Sequence, residues 1–230
     1  MSLLMEDEPR LAELVAATKY VLLDFDGPIC DLFAGLPADV LADAALNELE
    51  AFVGGPVDEE LTDIDDPLDL LDGVSEIYPE LTARVDASVR ALEVDAAAEA
   101  PLTVGAEDFL RACAESGRPV AVVSNNGAEA VHKVLALYGL SELVGHVEGR
   151  DPDPRLMKPD PTPLLRAMRA LNATAAETTM IGDSSSDILA AQAGGVAAVA
   201  LLSTPPPPGT DQLWVDGMDT LAGLFRDQRP

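Results

Sequence analysis

Two carboxylates two positions apart, Asp24 and Asp26, close the stretch LLDFDG. In an extended chain the side chains at i and i+2 project to the same side, so both acids face one crevice. Like charges that close raise the proton affinity of one of them unless a cation intervenes, which prepares one nucleophile and one general acid/base. The same pair ahead of Gly27 also suits a plain turn. Further along, VVSNN sets Ser124, Asn125 and Asn126 between an apolar run and a helical pattern. A hydroxyl and backbone N–H groups there suit a phosphate oxygen, or Ser124 or Asn125 serves as a helix N-cap. Lys158, one of three lysines in the chain, stands just ahead of Pro159 and Pro161. Its compact ammonium group suits the neutralisation of charge between a carboxylate and a phosphate. Finally, IGDSSSD offers Asp183 and Asp187 as the hard oxygen ligands that Mg²⁺ prefers. Asp183 or Ser184 also fits an N-cap, with Asp187 favourably placed against the helix dipole.

Each group must be positioned by an element. Four short unbroken apolar runs, at residues 20–23, 119–123, 178–181 and 196–201, read as strands buried on both faces. Three of them end directly in the polar groups named above. Apolar residues at helical spacing predict helices over 9–18, 107–116, 128–138, 163–171 and 187–193, the last stopped by Gly194 and Gly195. Alternating strand and helix predicts an α/β fold, a doubly wound parallel sheet, with the ligand crevice beyond the carboxyl ends of the strands. From about Phe33 to Ala100 only helical periodicity is found, which reads as a helical insertion. Gly54-Gly55-Pro56 and the acidic stretch 63–72 divide it into two helical arms. The expected organisation is therefore a core of residues 1–32 and 101–230 and a helical cap of residues 33–100. The tail, with four consecutive prolines at 205–208, reads as a stiff extended surface segment.

The 230 residues carry 41 acidic and 14 basic side chains, a formal net charge of -27. Such a chain repels nucleic acid and anionic lipid surfaces alike. Cys30 and Cys113 have no metal-ligand or C-x-x-C spacing and read as buried thiols of a reducing cytosol. No apolar stretch of membrane-spanning length occurs, and MSLLMEDEPR is acidic where a secretory signal is basic. A soluble cytoplasmic protein, monomeric or homodimeric, is expected. Neither His132 nor His146 has an acid or nucleophile at useful spacing, so packing or surface placement is expected of both.

In this order and spacing, the four chemical segments resemble the four signature motifs of the haloacid dehalogenase superfamily, in its helical-capped, phosphoglycolate phosphatase-like form. The resemblance runs from about Val21 to Leu201 and rests on joint occurrence. It implies Asp24 as nucleophile, Asp26 as acid/base, Ser124 and Asn125 as phosphate contacts, and Lys158 as the charge-neutralising base. It also implies a Mg²⁺ held by Asp24, the Asp26 backbone carbonyl and Asp183, with Asp187 binding metal, directly or through water, or orienting Lys158. The activity implied is Mg-dependent hydrolysis of a small-molecule phosphate ester through an aspartyl phosphate. A phosphomutase would share that intermediate, and a non-catalytic binding or regulatory protein would lack one of the key residues, all of which are present.

Departures from the pattern also inform. Pro28 replaces the usual threonine or valine and removes a backbone N–H beyond the four chemical groups. Dehalogenating relatives lack a carboxylate at the position of Asp26, and phosphonate-cleaving relatives use a cap lysine, which this insertion lacks. Both favour phosphate esters. The basic residues of the insertion are Arg84 and Arg90, possible substrate contacts, against a dense set of acids. That balance predicts a neutral or cationic leaving group, or else a plain solvated acidic face.

Overall fold

The computed structural model describes residues 7–207 and 209–228. Six strands form one parallel sheet: β1 (Tyr20–Leu23), β2 (Val120–Val123), β3 (His146–Glu148), β4 (Thr178–Gly182), β5 (Ala197–Leu201) and β6 (Leu213–Val215). Their order is β3-β2-β1-β4-β5-β6. The central strands have no solvent-facing side, so an unbroken apolar sequence rather than an alternating one is what they need. Alternation still operates between the two faces. Val21 and Leu23 of β1, with Val120 and Val122 of β2, enter one apolar cluster with helices α1 (Asp7–Ala17), α5 (Ala106–Glu115), α6 (Ala128–Leu137) and α9 (Met218–Asp227). Leu22, Ala121, Val123 and Met180 enter the other with α7 (Thr162–Leu171) and α8 (Ser185–Gly194).

The chain leaves β1 in one direction for β2 and in the other for β4, so the order reverses between β1 and β4. In register, Leu23 lies beside Ile181, and the Asp24 N–H continues the ladder onto the Ile181 carbonyl at 2.9 Å. The two acidic segments that follow these strands therefore emerge side by side at the switch point, where open α/β sheets place their ligands.

Between β1 and α5 lie three helices, α2 (Ala38–Val53), α3 (Pro67–Ile77) and α4 (Thr82–Ala96), where the sequence predicts two arms. They enclose their own apolar cluster, which includes Leu49, Leu61, Leu70, Leu71, Val85 and Val89. The acidic stretch 63–72 is no divider, because α3 begins inside it. The Asp66 carboxylate accepts from the N–H groups of Leu68 (2.8 Å) and Asp69 (3.2 Å), and Pro67 sets the first helical φ.

The tail corrects a second expectation. Residues 205–207 carry no regular structure and Pro208 lies outside the described residues, as do residues 1–6, but the chain then returns to add β6 and α9. Trp214 and Val215 are buried, and the Phe225 ring meets Phe109 edge-on at 5.0 Å. Arg118, buried and without a carboxylate partner among the described residues, ties both chain ends to the core. Its guanidinium donates to the carbonyls of Val15 and Thr18 at the end of α1 and of Phe225 and Gln228 at the end of α9. Carbonyls left over at helix C-termini are natural sites for a cation. The strand β3, which is not among the four apolar runs, is a three-residue edge with half-buried side chains, too short for a periodic signal. Cys30 and Cys113 are buried and unbonded. No helix among the described residues is long and apolar enough to cross a membrane.

Candidate active site

The turn after β1 carries the first two acids. Asp24 is buried, and its Oδ1 accepts from the Phe25 N–H at 2.7 Å. Asp26 Oδ1 accepts from the Leu32 N–H at 2.8 Å, fixing the second carboxylate by the chain that returns beneath it. Gly27 between them and that return has φ +92°, and a Cβ there would collide with the Asp183 carboxylate. Glycine is thus required twice over, by conformation and by the close approach of the β4 segment. Gly182 is constrained in the same way, since a Cβ on it would strike the carboxylate of Asp187.

Lys158 reaches the same point from the loop before α7. Its buried Nζ donates to Asp24 Oδ1 at 2.7 Å, to Asp187 Oδ1 at 2.5 Å and to the Val123 carbonyl at 2.9 Å. All three ammonium protons are thereby directed. Asp187 is fully buried and serves two duties that the sequence offers as alternatives. One oxygen holds the lysine. The other closes a capping box with Ser184 at the start of α8, accepting from the Ser184 N–H at 3.1 Å.

Ser124 and Asn125 are not helix caps, because α6 starts later, with Gly127 as its N-cap. Ser124 is buried with its Oγ 3.1 Å from Asn126 Oδ1. The Asn125 amide is committed to the backbone of Lys158, donating to its carbonyl at 2.9 Å and accepting from its N–H at 2.8 Å. That side chain therefore clamps the segment that presents the lysine, while Asn125 itself lines the cavity at these acids.

Neither Arg84 nor Arg90 lines the cavity at these acids. Arg84 stacks its guanidinium 3.7 Å over the Phe52 ring within the insertion, and Arg90 pairs with Asp86 at 2.7 Å. What the insertion does bring is Asp66 and Leu68, which together with Phe33 close a cavity of about 260 Å³ over Asp24, Asp26 and Lys158. A second cavity of about 490 Å³ shares Asp66, Leu68 and Lys158 and runs outward to Asp69, Asp72 and Arg155. The signal for Asp66 was present in the sequence as an aspartate before a proline and a helical pattern, hidden among other acids.

Burial pushes the Asp24 carboxyl well above the usual carboxylate range, with Lys158 opposing and Asp187 reinforcing. Burial alone would lower the pKa of Lys158, but the charges of Asp24 and Asp187 outweigh it and hold the ammonium form. Asp26 is pushed up to about 6, first by burial, then by Asp183, against the Leu32 hydrogen bond. Asp183 is raised by burial and by Asp187. Three acids thus share one lysine, a surplus of negative charge. Oxygen atoms of Asp24, Asp183 and Asp187 all lie within 4.8 Å of one another, a hard-donor set that fits a divalent cation such as Mg²⁺. The Asp26 carboxylate is not among them. His132 is exposed on α6, and His146 Nε2 lies 3.1 Å from Glu148 on β3.

A parallel α/β sheet whose switch point gathers a strand-end aspartate pair, a lysine and a second acidic loop beneath a helical insertion defines a hydrolase of the phosphatase type. The chain belongs to the haloacid dehalogenase-like hydrolases, whose family model matches residues 18–195. It is 33% identical over 184 residues to the phosphoglycolate phosphatase of Photobacterium profundum, covering 75% of this chain and 78% of that protein. Among solved structures it is similar to CbbY from Rhodobacter sphaeroides in complex with phosphate, with a TM-score of 0.65 at 20% identity over 89% of this chain and 96% of that one. It is similar in the same degree to the beta-phosphoglucomutase of Clostridium difficile, with a TM-score of 0.65 at 20% identity over 91% and 98%. These two likenesses concern the fold.

Proposed function

We propose that the protein hydrolyses a small-molecule phosphate monoester in two steps, with Asp24 as nucleophile, Mg²⁺ as cofactor and the helical insertion of residues 33–100 as a cap on a core of residues 1–32 and 101–230. The observation that carries this reading is the meeting of Asp24, Asp26, Lys158 and Asp183 around one cavity at the ends of β1 and β4. The free Asp24 oxygen attacks phosphorus, and the bond to the leaving oxygen breaks while Asp26, protonated, gives its proton to the departing alcohol. Water then attacks the phosphorus of the aspartyl phosphate, the bond to the Asp24 oxygen breaks to release phosphate and restore the carboxylate, and Asp26 takes the proton that the water loses. Lys158 faces the transferring oxygens as a fixed positive charge, and the Ser124 hydroxyl turns from Asn126 to donate to one of them. Asp24, Asp183 and the Asp26 carbonyl, with Asp187 nearby, would hold the Mg²⁺, whose charge would let an anionic nucleophile approach an anionic ester. The cap excludes water from the acyl phosphate until the leaving alcohol has gone. A reducing cytoplasm suits the two unbonded buried thiols.

The outer cavity bears on the leaving group. Besides Lys158, the cation lining it among the described residues is Arg155, which is exposed and forked onto Asp153 at 2.9 and 2.7 Å. Asp66, Asp69 and Asp72 supply the remaining charge on the cap side, favouring a neutral or cationic leaving group over a carboxylate. A panel of phosphate esters assayed with Mg²⁺ and with chelator tests both parts. Free phosphate is expected, only with the metal, and lost to background in Asp24→Asn. A sugar monophosphate is expected to exceed phosphoglycolate in kcat/KM. Isomerised sugar in place of phosphate would make the protein a mutase, and a strong preference for phosphoglycolate would overturn the reading of the acidic lip.

A further inference from the structure

Beside the cavity, and touching none of its reacting groups, lies a buried ionic cluster that joins the insertion to the loop after β2. Asp86, Arg90 and Glu93 share one face of α4, at i, i+4 and i+7. They meet Arg150, from the segment that follows β3. The side chains of Glu93 and Arg150 are both fully buried. Arg150 Nη1 and Nη2 fork onto Glu93 Oε1 and Oε2 at 2.7 and 3.2 Å, and its Nε donates to Asp86 at 2.7 Å. The Arg150 carbonyl accepts from Arg90 Nη2 at 2.6 Å, and further bonds of the pair converge on three consecutive loop residues. Arg150 Nη1 donates to the Asn125 carbonyl at 2.9 Å, and the Arg150 N–H to the Asn126 carbonyl at 2.8 Å. Glu93 accepts from the Asn126 side-chain amide at 3.0 Å and from the Gly127 N–H at 2.9 Å.

We propose that Glu93 and Arg150 are positioning residues that hold the Ser124–Gly127 loop, and through Asn126 the Ser124 hydroxyl, in the orientation that receives the phosphoryl group. The proposal rests on the phosphatase reading above. A fully buried ion pair is a poor device for stability alone, because apolar packing of equal volume commonly does as well, whereas its directional bonds can select one geometry. Here the bonds end on both carbonyls, one N–H and one side chain of the loop. Glu93 accepts only, so Asn126 must turn its NH₂ toward Glu93 and its Oδ1 toward Ser124. That orientation gives the Ser124 proton a resting acceptor at 3.1 Å, with the Asn126 N–H fixing the same oxygen at 3.0 Å. With Glu93 made neutral, the amide is free to flip and present a donor to Ser124. Because Glu93 belongs to α4, the insertion and the phosphate loop are set by one pair of charges.

The test compares wild type with Glu93→Gln, using p-nitrophenyl phosphate as substrate and inorganic phosphate as competitive inhibitor. Arg118→Lys, far from the site, serves as a variant that lowers the melting temperature through the anchoring of α1 and α9 alone. Expected for Glu93→Gln, per folded molecule, are a fall in kcat of about 10- to 100-fold and a rise of about tenfold in the phosphate inhibition constant. Arg118→Lys is expected to keep both constants within about twofold. Should Glu93→Gln not fold, Asn126→Ala, which cuts the link between Glu93 and Ser124 without a buried unpaired charge, is expected to give the same two changes. A folded Glu93→Gln or Asn126→Ala with both constants near wild type overturns the positioning role. A wild type that neither hydrolyses the ester nor binds phosphate overturns the phosphatase reading instead.

Discussion

At the scale of single residues, Asp26 is the group whose environment makes the sharpest demand. Its pKa, about 6 against an ordinary 3.8, means that the folded protein binds its proton more tightly than the unfolded chain does. Stability from this group is therefore lost, not gained, as pH rises from about 4 to about 6, by about 1–3 kcal/mol at roughly 1.4 kcal/mol per pK unit. Asp26→Asn removes that penalty while its carbonyl oxygen still accepts from the Leu32 N–H. In the presence of chelator the variant is expected to melt above wild type at pH 7 and level with it below pH 4. With Mg²⁺ its turnover is expected to fall by about 10²–10⁴-fold, the range of a lost general acid. A variant no more stable than wild type at pH 7 would show that the carboxylate is not held against burial. The raised pKa suits the role in a second way, since a group titrating near 6 is available both to give a proton and to take one near neutrality.

At the scale of elements, α3 reaches the cavity through its N-terminal end. Asp66 caps α3, and with Leu68 it also forms the roof of the cavity. Losing a side-chain cap weakens a helix by about 1 kcal/mol. Asp66→Ala is expected to lower the denaturant midpoint accordingly and to raise KM for the best ester several-fold with a smaller change in kcat, because Asp66 lines the cavity on the cap side, where the proposed leaving group would sit, away from the attacking Asp24. Unchanged KM with the same loss of stability would reduce Asp66 to a cap alone. The strands work differently. Leu23 and Ile181 pair in register, and that pairing alone brings the Asp24 and Asp183 segments together, with Gly27 leaving the room they need.

At the scale of the whole molecule, a net charge of -27 on 230 residues repels itself. Exposed pairs such as Lys19–Glu177 and Arg111–Glu107 recover little of this in water. Salt shortens the reach of charge from about 10 Å at 0.1 M to about 3 Å at 1 M. The melting temperature is therefore expected to rise steadily with NaCl over that range, and a fall would mean that ion pairs outweigh the repulsion.

The amino-acid sequence by itself determined the parts of this protein in which local chemistry and position coincide. Short unbroken apolar runs suit strands covered on both sides, and Asp24, Asp26, Ser124 and Asp183 stand where such strands end. What no local pattern carries was decided by tertiary structure. The short edge strands β3 and β6 exist because neighbours pair with them, α3 starts inside an acidic stretch because Asp66 caps it, and Arg84 and Arg90 turn from the cavity because Phe52 and Asp86 hold them. The clamp of Asn125 on Lys158 and the cluster of Glu93 with Arg150 join residues 33 and 57 positions apart. A hydrogen bond depends on distance and angle in space, and separation along the chain fixes neither until the sheet has closed.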